Sequence, residues 1–301
     1  MSIYIARLRI GIIAMALAAC TQPQAAAPTT IPAAPTPAPT ATTVPTTAPT
    51  PAPTPAPDLA SPFAGADGAF TLYSTRDGSY TRHNPQRSAQ QFLPASTFKI
   101  LNSLIALETG VITDESTIIT WDGTRYHNQD WNQDHTLASA FKNSVVWYYQ
   151  EVARRIGERR MRQYVEAAGY GNQNIGGKID RFWLDGDLRI SADEQVAFLR
   201  RPYDEDLPFS TRSIQIVKSI MRQRQTADYT LSGKTGTAVW GDQRMAWFVG
   251  YLETQGGTYI FALNMEDPAA AEPLTSERAR STALALLYRL GLLPSPDPDN
   301  S

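Results

Sequence analysis

A serine and a lysine stand three positions apart in the segment Ser-Thr-Phe-Lys at residues 96–99. Positions i and i+3 share one face of a helix, so the hydroxyl of Ser96 and the amine of Lys99 are predicted to meet. A serine hydroxyl is a weak nucleophile until a base takes its proton. A lysine is such a base only where burial lowers its pKa, and the neighbouring Phe98 and Ile100 favour burial. Alone, this spacing is common in chance helices.

A second candidate motif, Lys234-Thr235-Gly236, lies far along the chain in a segment with strand periodicity. Its lysine and threonine are suited to hold an anionic group. Gly236 in a strand permits close approach of a ligand or another backbone. A nucleophilic serine on a helix and this tripeptide on a strand are together typical of penicillin-recognising serine enzymes.

Two periodicities predict the elements that position these motifs. Residues 68–73 alternate as a strand, and residues 79–82 follow an Asp-Gly turn as its hairpin partner. Helical spacing is predicted for Ser96–Glu108, two stretches within residues 136–168, Ala192–Arg200, Ser210–Arg224 and Thr275–Leu290. Three further strands are predicted at residues 229–235, 245–252 and 258–264. Strands at both ends with helices between them predict one sheet that closes late and carries an inserted helical lobe.

A third motif, Ser144-Val145-Val146, lies in the helical region and resembles the Ser-x-Val of class D β-lactamases, the oxacillinase family. The resemblance extends over residues 66–293. It is carried further by Leu93–Ile100, Trp121–Gly123, Trp147–Gly157, Tyr170–Asn172, Phe182–Leu184 and Ala246–Gly250. It implies an α/β (α+β) fold of the penicillin-recognising serine enzymes, with a mainly antiparallel central sheet flanked by helices. Tyr170 itself is interpreted as structural.

The resemblance also implies how the chemistry is divided. Lys99 would react with CO2 to give N6-carboxylysine, a carbamate that serves as general base for acylation and deacylation. The physics agrees, since a deprotonated amine attacks CO2 and an apolar pocket keeps it deprotonated. Val146 would be one wall of that pocket, and the indole N–H of Trp183 would donate to the carbamate. No metal or organic cofactor is expected.

Further residues are implied to bind the substrate, a β-lactam. The backbone N–H groups of Ser96 and Thr237 would form the oxyanion hole, and Ser144 would relay a proton to the departing nitrogen. Lys234 would attract the substrate carboxylate. An arginine of the last segment would share that carboxylate, with Arg278 favoured by its place at the helix start and Arg280 as the alternative. The implied substrate-binding residues are Lys234, Thr235, Gly236, Thr237 and Arg278.

Residues 1–19 have the pattern of an export signal. Arg7 and Arg9 precede an apolar stretch of signal-peptide length, too short to cross a membrane as a helix. The stretch ends in Leu-Ala-Ala-Cys, which resembles a bacterial lipobox, and Cys20 is the only cysteine of the chain. We therefore predict a signal peptide over residues 1–19 and lipidation of Cys20. An ordinary secreted protein with a chance cysteine is the alternative.

A lipid on Cys20 would hold the protein at a membrane surface, facing the periplasm or the cell exterior. Residues 20–57 then form a linker: the segment after Cys20 has no charged residue and holds more than half of the 22 prolines. Such a composition cannot bury enough apolar surface to fold, and it favours extended polyproline II. The catalytic domain is predicted over residues 58–301.

Composition excludes several other classes of protein. The 27 basic and 29 acidic residues give a net charge of -2, which argues against a nucleic-acid partner. A single cysteine excludes an internal disulfide and a Cys-rich metal site. Oligomeric state is left open.

Two rival functions share part of the motif set. A non-hydrolysing β-lactam sensor domain would be acylated without turning over, but such domains follow a multi-helix membrane protease that this chain lacks. A cell-wall transpeptidase would carry Ser-x-Asn in place of Ser144-x-Val146. The sequence therefore favours a lipid-anchored class D serine β-lactamase (EC 3.5.2.6).

Overall fold

The computed structural model describes residues 57–204, 206–240, 243–266 and 274–294. The predicted signal peptide, Cys20 and all of the linker but its last residue lie outside this part of the chain. The strands are β1 (Asp67–Ser74), β2 (Tyr80–His83), β3 (Ile118–Ile119), β4 (His135–Thr136), β5 (Arg222–Gln225), β6 (Tyr229–Trp240), β7 (Gln243–Thr254) and β8 (Gly257–Glu266). The α-helices are α1 (Pro85–Ser88), α2 (Lys99–Glu108), α3 (Leu137–Lys142), α4 (Val146–Ile156), α5 (Glu158–Ala167), α6 (Ala192–Tyr203), α7 (Thr211–Met221) and α8 (Ser276–Arg289).

Six of the strands form one antiparallel sheet in the order β2-β1-β8-β7-β6-β5. First and last parts of the chain therefore share the sheet, and most of the helices lie between them in sequence. This confirms the predicted α+β fold with a late-closing sheet and an inserted helical lobe.

Alternation along the strands gives the sheet two apolar faces. On β7, Trp247 and Val249 pack with the larger core, which holds α2, α4 and α6. Ala246 and Phe248 alternate with them and pack with the smaller core, which contains α8. Because successive side chains point to opposite faces, one strand supports both layers, and the sheet lies between helices.

Two of the differences from the sequence prediction add an element to the fold. Residues 136–168 hold three helices rather than two, because the backbone turns at Ser144, which has a left-handed φ of 54°. The helix predicted over Ser210–Arg224 ends at Met221, and the following residues pair with β6 as the edge strand β5. The apolar helical spacing ends at Met221, and the polar run that follows contains no glycine or proline to mark the end of the helix.

No helix among the described residues is long and apolar enough to cross a membrane.

Candidate active site

The nucleophile motif folds as a tight turn that leads into a helix. Residues 95–98 form a 3₁₀ turn, and α2 begins at Lys99. Ala95, immediately before the serine, has a left-handed φ of 48° and donates its N–H to the Trp183 carbonyl. The predicted meeting of side chains is confirmed, since Ser96 Oγ and Lys99 Nζ lie 2.8 Å apart.

Lys99 is fully buried. Burial lowers its pKa well below the ordinary value, and the nearby charge of Lys234 lowers it further. A neutral amine at hydrogen-bond distance from a serine hydroxyl has the geometry of a general base. The ring of Tyr149 is one wall of this pocket, with its centroid 5.3 Å from Lys99 Nζ.

An aromatic cluster next to the nucleophile turn contains an unpaired donor. Trp183 is fully buried and stacks on Phe98 with ring centroids 5.4 Å apart. Its indole Nε1 is buried and has no hydrogen-bond partner among the described residues. Buried donors are nearly always paired in native proteins, so this one needs an acceptor. Val146, the other predicted wall residue, begins α4 and is half-buried.

The helical region and the strand motif meet at a second lysine. Lys234 Nζ donates to Ser144 Oγ at 3.1 Å and to the Thr235 carbonyl at 3.0 Å. Lys234 is almost fully buried, and burial lowers its pKa to about 7. Ser144 adopts its left-handed backbone conformation between α3 and α4. Such strain in a non-glycine residue is characteristic of functional sites.

The pKa of Lys234 predicts the alkaline limb of the pH profile. Below about pH 7 the free protein carries the positive charge that attracts an anionic substrate. Above it, kcat/KM for such a substrate is expected to fall by about tenfold per pH unit, because kcat/KM follows the free protein. A bound carboxylate stabilises the charged amine, so kcat should fall less. A kcat/KM that stays level or rises between pH 7 and pH 9 would contradict this role.

Strand β6 lies directly against the nucleophile turn, and Gly236 makes this possible. A Cβ at Gly236 would lie 3.2 Å from the Pro94 carbonyl oxygen and 3.3 Å from the Ser96 amide nitrogen. Those distances are tighter than ordinary contacts, so any larger side chain would push the strand away from Ser96. The glycine predicted from the sequence is therefore required by close approach of two backbones.

For the acylation that the family resemblance implies, Gly236→Ala is expected to lower the rate by roughly tenfold to a hundredfold, because small displacements of aligned groups are costly. The rate is measured as the second-order loss of a β-lactam probe. Gly256→Ala is the matched control, since its Cβ would find only side-chain atoms at 3.5 Å or beyond. Equal rates in the two variants would show that the spacing at Gly236 does not matter.

The two candidate arginines of α8 point to different partners. Arg278 Nη2 donates to the Phe63 carbonyl at 3.3 Å. Arg280 Nε donates to Gln223 Oε1 at 3.0 Å, and Gln223 Nε2 donates to the Gly233 carbonyl, next to Lys234. Arg280 is thus joined to the strand of the Lys-Thr-Gly motif.

The other predicted residues of this strand lie on the same stretch of β6. Thr237 Oγ1 and Ser276 Oγ are 3.1 Å apart, so the start of α8 contacts the strand just past Gly236. Thr235 is half-buried. The structure therefore brings Ser96, Lys99, Ser144 and the segment 234–237 together.

A buried network beneath the nucleophile was not predicted from the sequence. Thr97 Oγ1 donates to the Pro94 carbonyl at 2.7 Å. Because that hydroxyl has one proton, it accepts from Gln195 Nε2 at 2.8 Å. The same amide lies 3.4 Å from the hydroxyl of Tyr170, which is fully buried, consistent with its structural interpretation. The network fixes the turn that carries Ser96.

A sequence signal for Gln195 does exist. Ser191 and Glu194 form a capping box that fixes the start of α6, with reciprocal side-chain to backbone hydrogen bonds of 3.1 and 2.8 Å. Gln195 then falls on the apolar face beside Val196 and Leu199. A polar residue on a buried face indicates a specific hydrogen-bond partner.

Comparison with known proteins places the chain in a family. Residues 68–286 match the penicillin binding protein transpeptidase domain. The chain is 40% identical over 233 residues to a probable β-lactamase, YbxI, of Bacillus subtilis, covering 77% of this chain and 84% of the relative. The solved class D β-lactamase YbXI from Nostoc is 42% identical, with a TM-score of 0.76 over 79% of this chain and 100% of that one.

A regulatory protein, BlaR1 of Bacillus licheniformis, is also 40% identical, over 231 residues. That match covers 76% of this chain but only 38% of the regulator. A serine and a buried lysine on a turn packed against a Lys-Thr-Gly strand, on this sheet, define a penicillin-recognising serine protein. Within that class, the chain belongs to the class D β-lactamase family.

Proposed function

We propose that the protein hydrolyses β-lactams through a covalent acyl-enzyme on Ser96. The observation that carries the proposal is the 2.8 Å contact between Ser96 Oγ and the fully buried amine of Lys99. A neutral lysine in this position can take the serine proton. The Ser144–Lys234 pair lies on the same site and can supply a proton and a positive charge.

Acylation follows from this arrangement. Ser96 Oγ attacks the lactam carbonyl carbon while its proton moves to the Lys99 side chain. The N–H groups of Ser96 and Thr237 stabilise the oxyanion. The ring C–N bond then breaks, and Ser144, held by Lys234, passes a proton to the departing nitrogen. The proton held on the Lys99 side chain then replaces the one that Ser144 has lost. In deacylation, water adds to the ester carbonyl and gives a proton to the Lys99 side chain, and that proton passes to Ser96 Oγ as the ester C–O bond breaks.

We also propose that Lys99 holds CO2 as N6-carboxylysine. When bound, this group supplies an anionic general base. The buried Nε1 of Trp183 lacks an acceptor among the described residues, and a carbamate oxygen would provide one. The lowered pKa of Lys99 keeps the amine in the form that reacts with CO2. The Tyr149 ring supplies aromatic surface beside the amine, and Phe98 stacks on Trp183.

Trp183→Phe is expected to raise the bicarbonate concentration needed for half-maximal turnover by about tenfold, the value of one hydrogen bond to a charged group. The measurement is steady-state turnover in CO2-depleted buffer with increasing bicarbonate. Trp121→Phe is the control, because that indole donates to the Thr124 carbonyl in an exposed loop. Identical half-saturation in wild type and Trp183→Phe would rule out the assigned contact.

For the substrate carboxylate, the contacts favour Arg280 over Arg278. Arg280 reaches the Lys234 end of β6 through Gln223, whereas Arg278 donates to Phe63. We expect Arg280→Ala to raise KM for a penicillin more than Arg278→Ala does. The reverse order would return the role to Arg278, the residue that the sequence favours.

A β-lactam sensor is the second candidate, because the match to the BlaR1 regulator covers the same residues. A sensor would form a stable adduct on Ser96 and release no product. Product release over many cycles in the full-length protein distinguishes the two functions.

Export and lipid anchoring remain a separate proposal. The proposal of a lipid anchor is based on the lipobox-like sequence Leu-Ala-Ala-Cys that ends at Cys20. Labelled palmitate is expected in the wild-type chain and absent from Cys20→Ser, while Ser96→Ala keeps the label. If the wild-type chain takes up no labelled palmitate, the lipid anchor is wrong and the alternative of an ordinary secreted protein is favoured.

A further inference from the structure

A cavity of about 440 Å³ lies next to Lys234. Helix α3 and the end of α7 form two of its walls, and the strands β5 and β6 form the others. It is lined by Ala138, Phe141, Lys142, Ile220, Met221, Arg222, Gln223, Gly233, Lys234 and Thr235. Lys234 belongs to both the site and this cavity, since its amine contacts Ser144. A molecule held at Lys234 can therefore extend a substituent into it.

The lining carries positive charge and no acidic side chain. Its ionisable residues are Lys142, Arg222 and Lys234. The side chains of Lys142 and Arg222 are exposed, and neither forms a hydrogen bond or ion pair with any residue that the structure describes. Arg280, which the proposed function assigns to the ring carboxylate, contacts Glu277 and Gln223 and does not line the cavity.

Unpaired cations around a concave surface attract an anion, because converging positive charges add at the centre of the cavity. A carboxylate between two such groups gains charge-assisted hydrogen bonds. The apolar part of the lining, from Phe141, Ile220 and Met221, can pack against the chain that joins this anion to the rest of a ligand. The cavity thus has the chemistry of a subsite for an acidic substituent.

We infer that this cavity binds a second anionic group on the substrate, a carboxylate on the substituent next to the ring carboxylate of a β-lactam. The inference rests on the proposed function, because it extends the same site. It makes Lys142 and Arg222 specificity-determining residues. It also predicts that β-lactams with two negative charges on this side are preferred over matched compounds with one.

The test compares two cephalosporins that differ in one charge. Both carry a thiomethyl substituent at C3, ending in a free carboxylate in one and in its methyl ester in the other. In low-salt buffer the full-length protein is expected to show a kcat/KM about tenfold higher for the acid, the size of two partly exposed ion pairs. The preference should fade as ionic strength rises.

The double variant Lys142→Gln/Arg222→Gln is expected to bring the acid-to-ester ratio close to one. Arg224→Gln is the matched control, because it removes an exposed arginine of the same strand that lies over the Tyr229 ring outside the cavity. It should keep the wild-type ratio. Equal kcat/KM values for the acid and the ester in wild type would overturn the inference. So would a double variant that keeps the wild-type preference for the acid.

Failure of the proposed function is separable from failure of the subsite. If wild type hydrolyses neither cephalosporin, the proposed function is wrong. The subsite is then decided by calorimetry with both compounds on Ser96→Ala, with and without the two neutralising substitutions. Tighter binding of the acid that disappears with Lys142→Gln/Arg222→Gln supports it, and equal binding rejects it.

Discussion

Lys99→Met is expected to lower the turnover of a β-lactam by at least about 10²–10⁴-fold, the contribution of a positioned general base. The amine lies 2.8 Å from Ser96 Oγ and is fully buried, and methionine has no group that accepts the serine proton. Both acylation and deacylation should slow, because one side chain serves both steps. Bicarbonate should no longer affect the residual rate.

The thermal stability of Lys99→Met is not expected to fall with its activity. Burial in the folded protein lowers the pKa of Lys99, so the amine binds a proton more tightly in the unfolded chain than in the folded one. The folded state is therefore penalised as pH falls from about 10.5 toward the lowered pKa. Methionine fills similar space without that penalty, so Tm at neutral pH should not fall.

Single-turnover kinetics with a chromogenic cephalosporin separate the two steps, and calorimetry gives Tm. Lys178→Met is the control, since Lys178 is exposed. A Lys99→Met protein with wild-type deacylation would exclude the lysine as the base. If turnover and Tm both fall in Lys99→Met, the main role of Lys99 is packing.

Ser96→Ala is expected to abolish covalent adduct formation and product release together. Removal of the attacking oxygen leaves binding intact, because the anion-binding residues Lys234 and Thr235 lie on a different element, β6. The hydroxyl makes its one hydrogen bond within the described residues to Lys99, so the fold should keep its Tm within a few degrees.

Intact mass after exposure to a penicillin measures the adduct, with Ser281→Ala as a control on an exposed serine of α8. Wild type is expected to gain the mass of the penicillin transiently, and Ser96→Ala to gain nothing. An adduct of the same mass on Ser96→Ala would place the nucleophile elsewhere.

The Ser96–Lys99 pair and the Lys-Thr-Gly motif could be predicted because each depends on local spacing or on a short motif. Ser96 and Lys99 are neighbours on one helical turn, and alternation along residues 229–264 fixes the strands that carry Lys234. The hydrogen bond between Lys234 and Ser144 depends on the whole fold, and no local pattern predicts it. Local patterns therefore predicted elements and candidate residues, but not the contacts across elements.

Other features had no local signal. The left-handed backbone of Ala95 and Ser144 runs against the propensity of both residues, and each residue forms a hydrogen bond with a distant part of the chain, Ala95 with Trp183 and Ser144 with Lys234. In the sequence, Tyr149 is not distinguished from the other aromatic residues of a buried helix, yet its ring is a wall of the Lys99 pocket. The edge strand β5 is a run of exposed polar residues that pairing with β6 alone makes extended.

The most direct test of hydrolysis by Ser96 and Lys99 is the number of product molecules released per molecule of full-length protein. A chromogenic cephalosporin in large excess is followed in bicarbonate buffer until release stops. We predict steady release that continues until the substrate is consumed. Release that ends at one product per protein, with a stable adduct on Ser96, would contradict hydrolysis and identify a protein that binds β-lactams without turning them over.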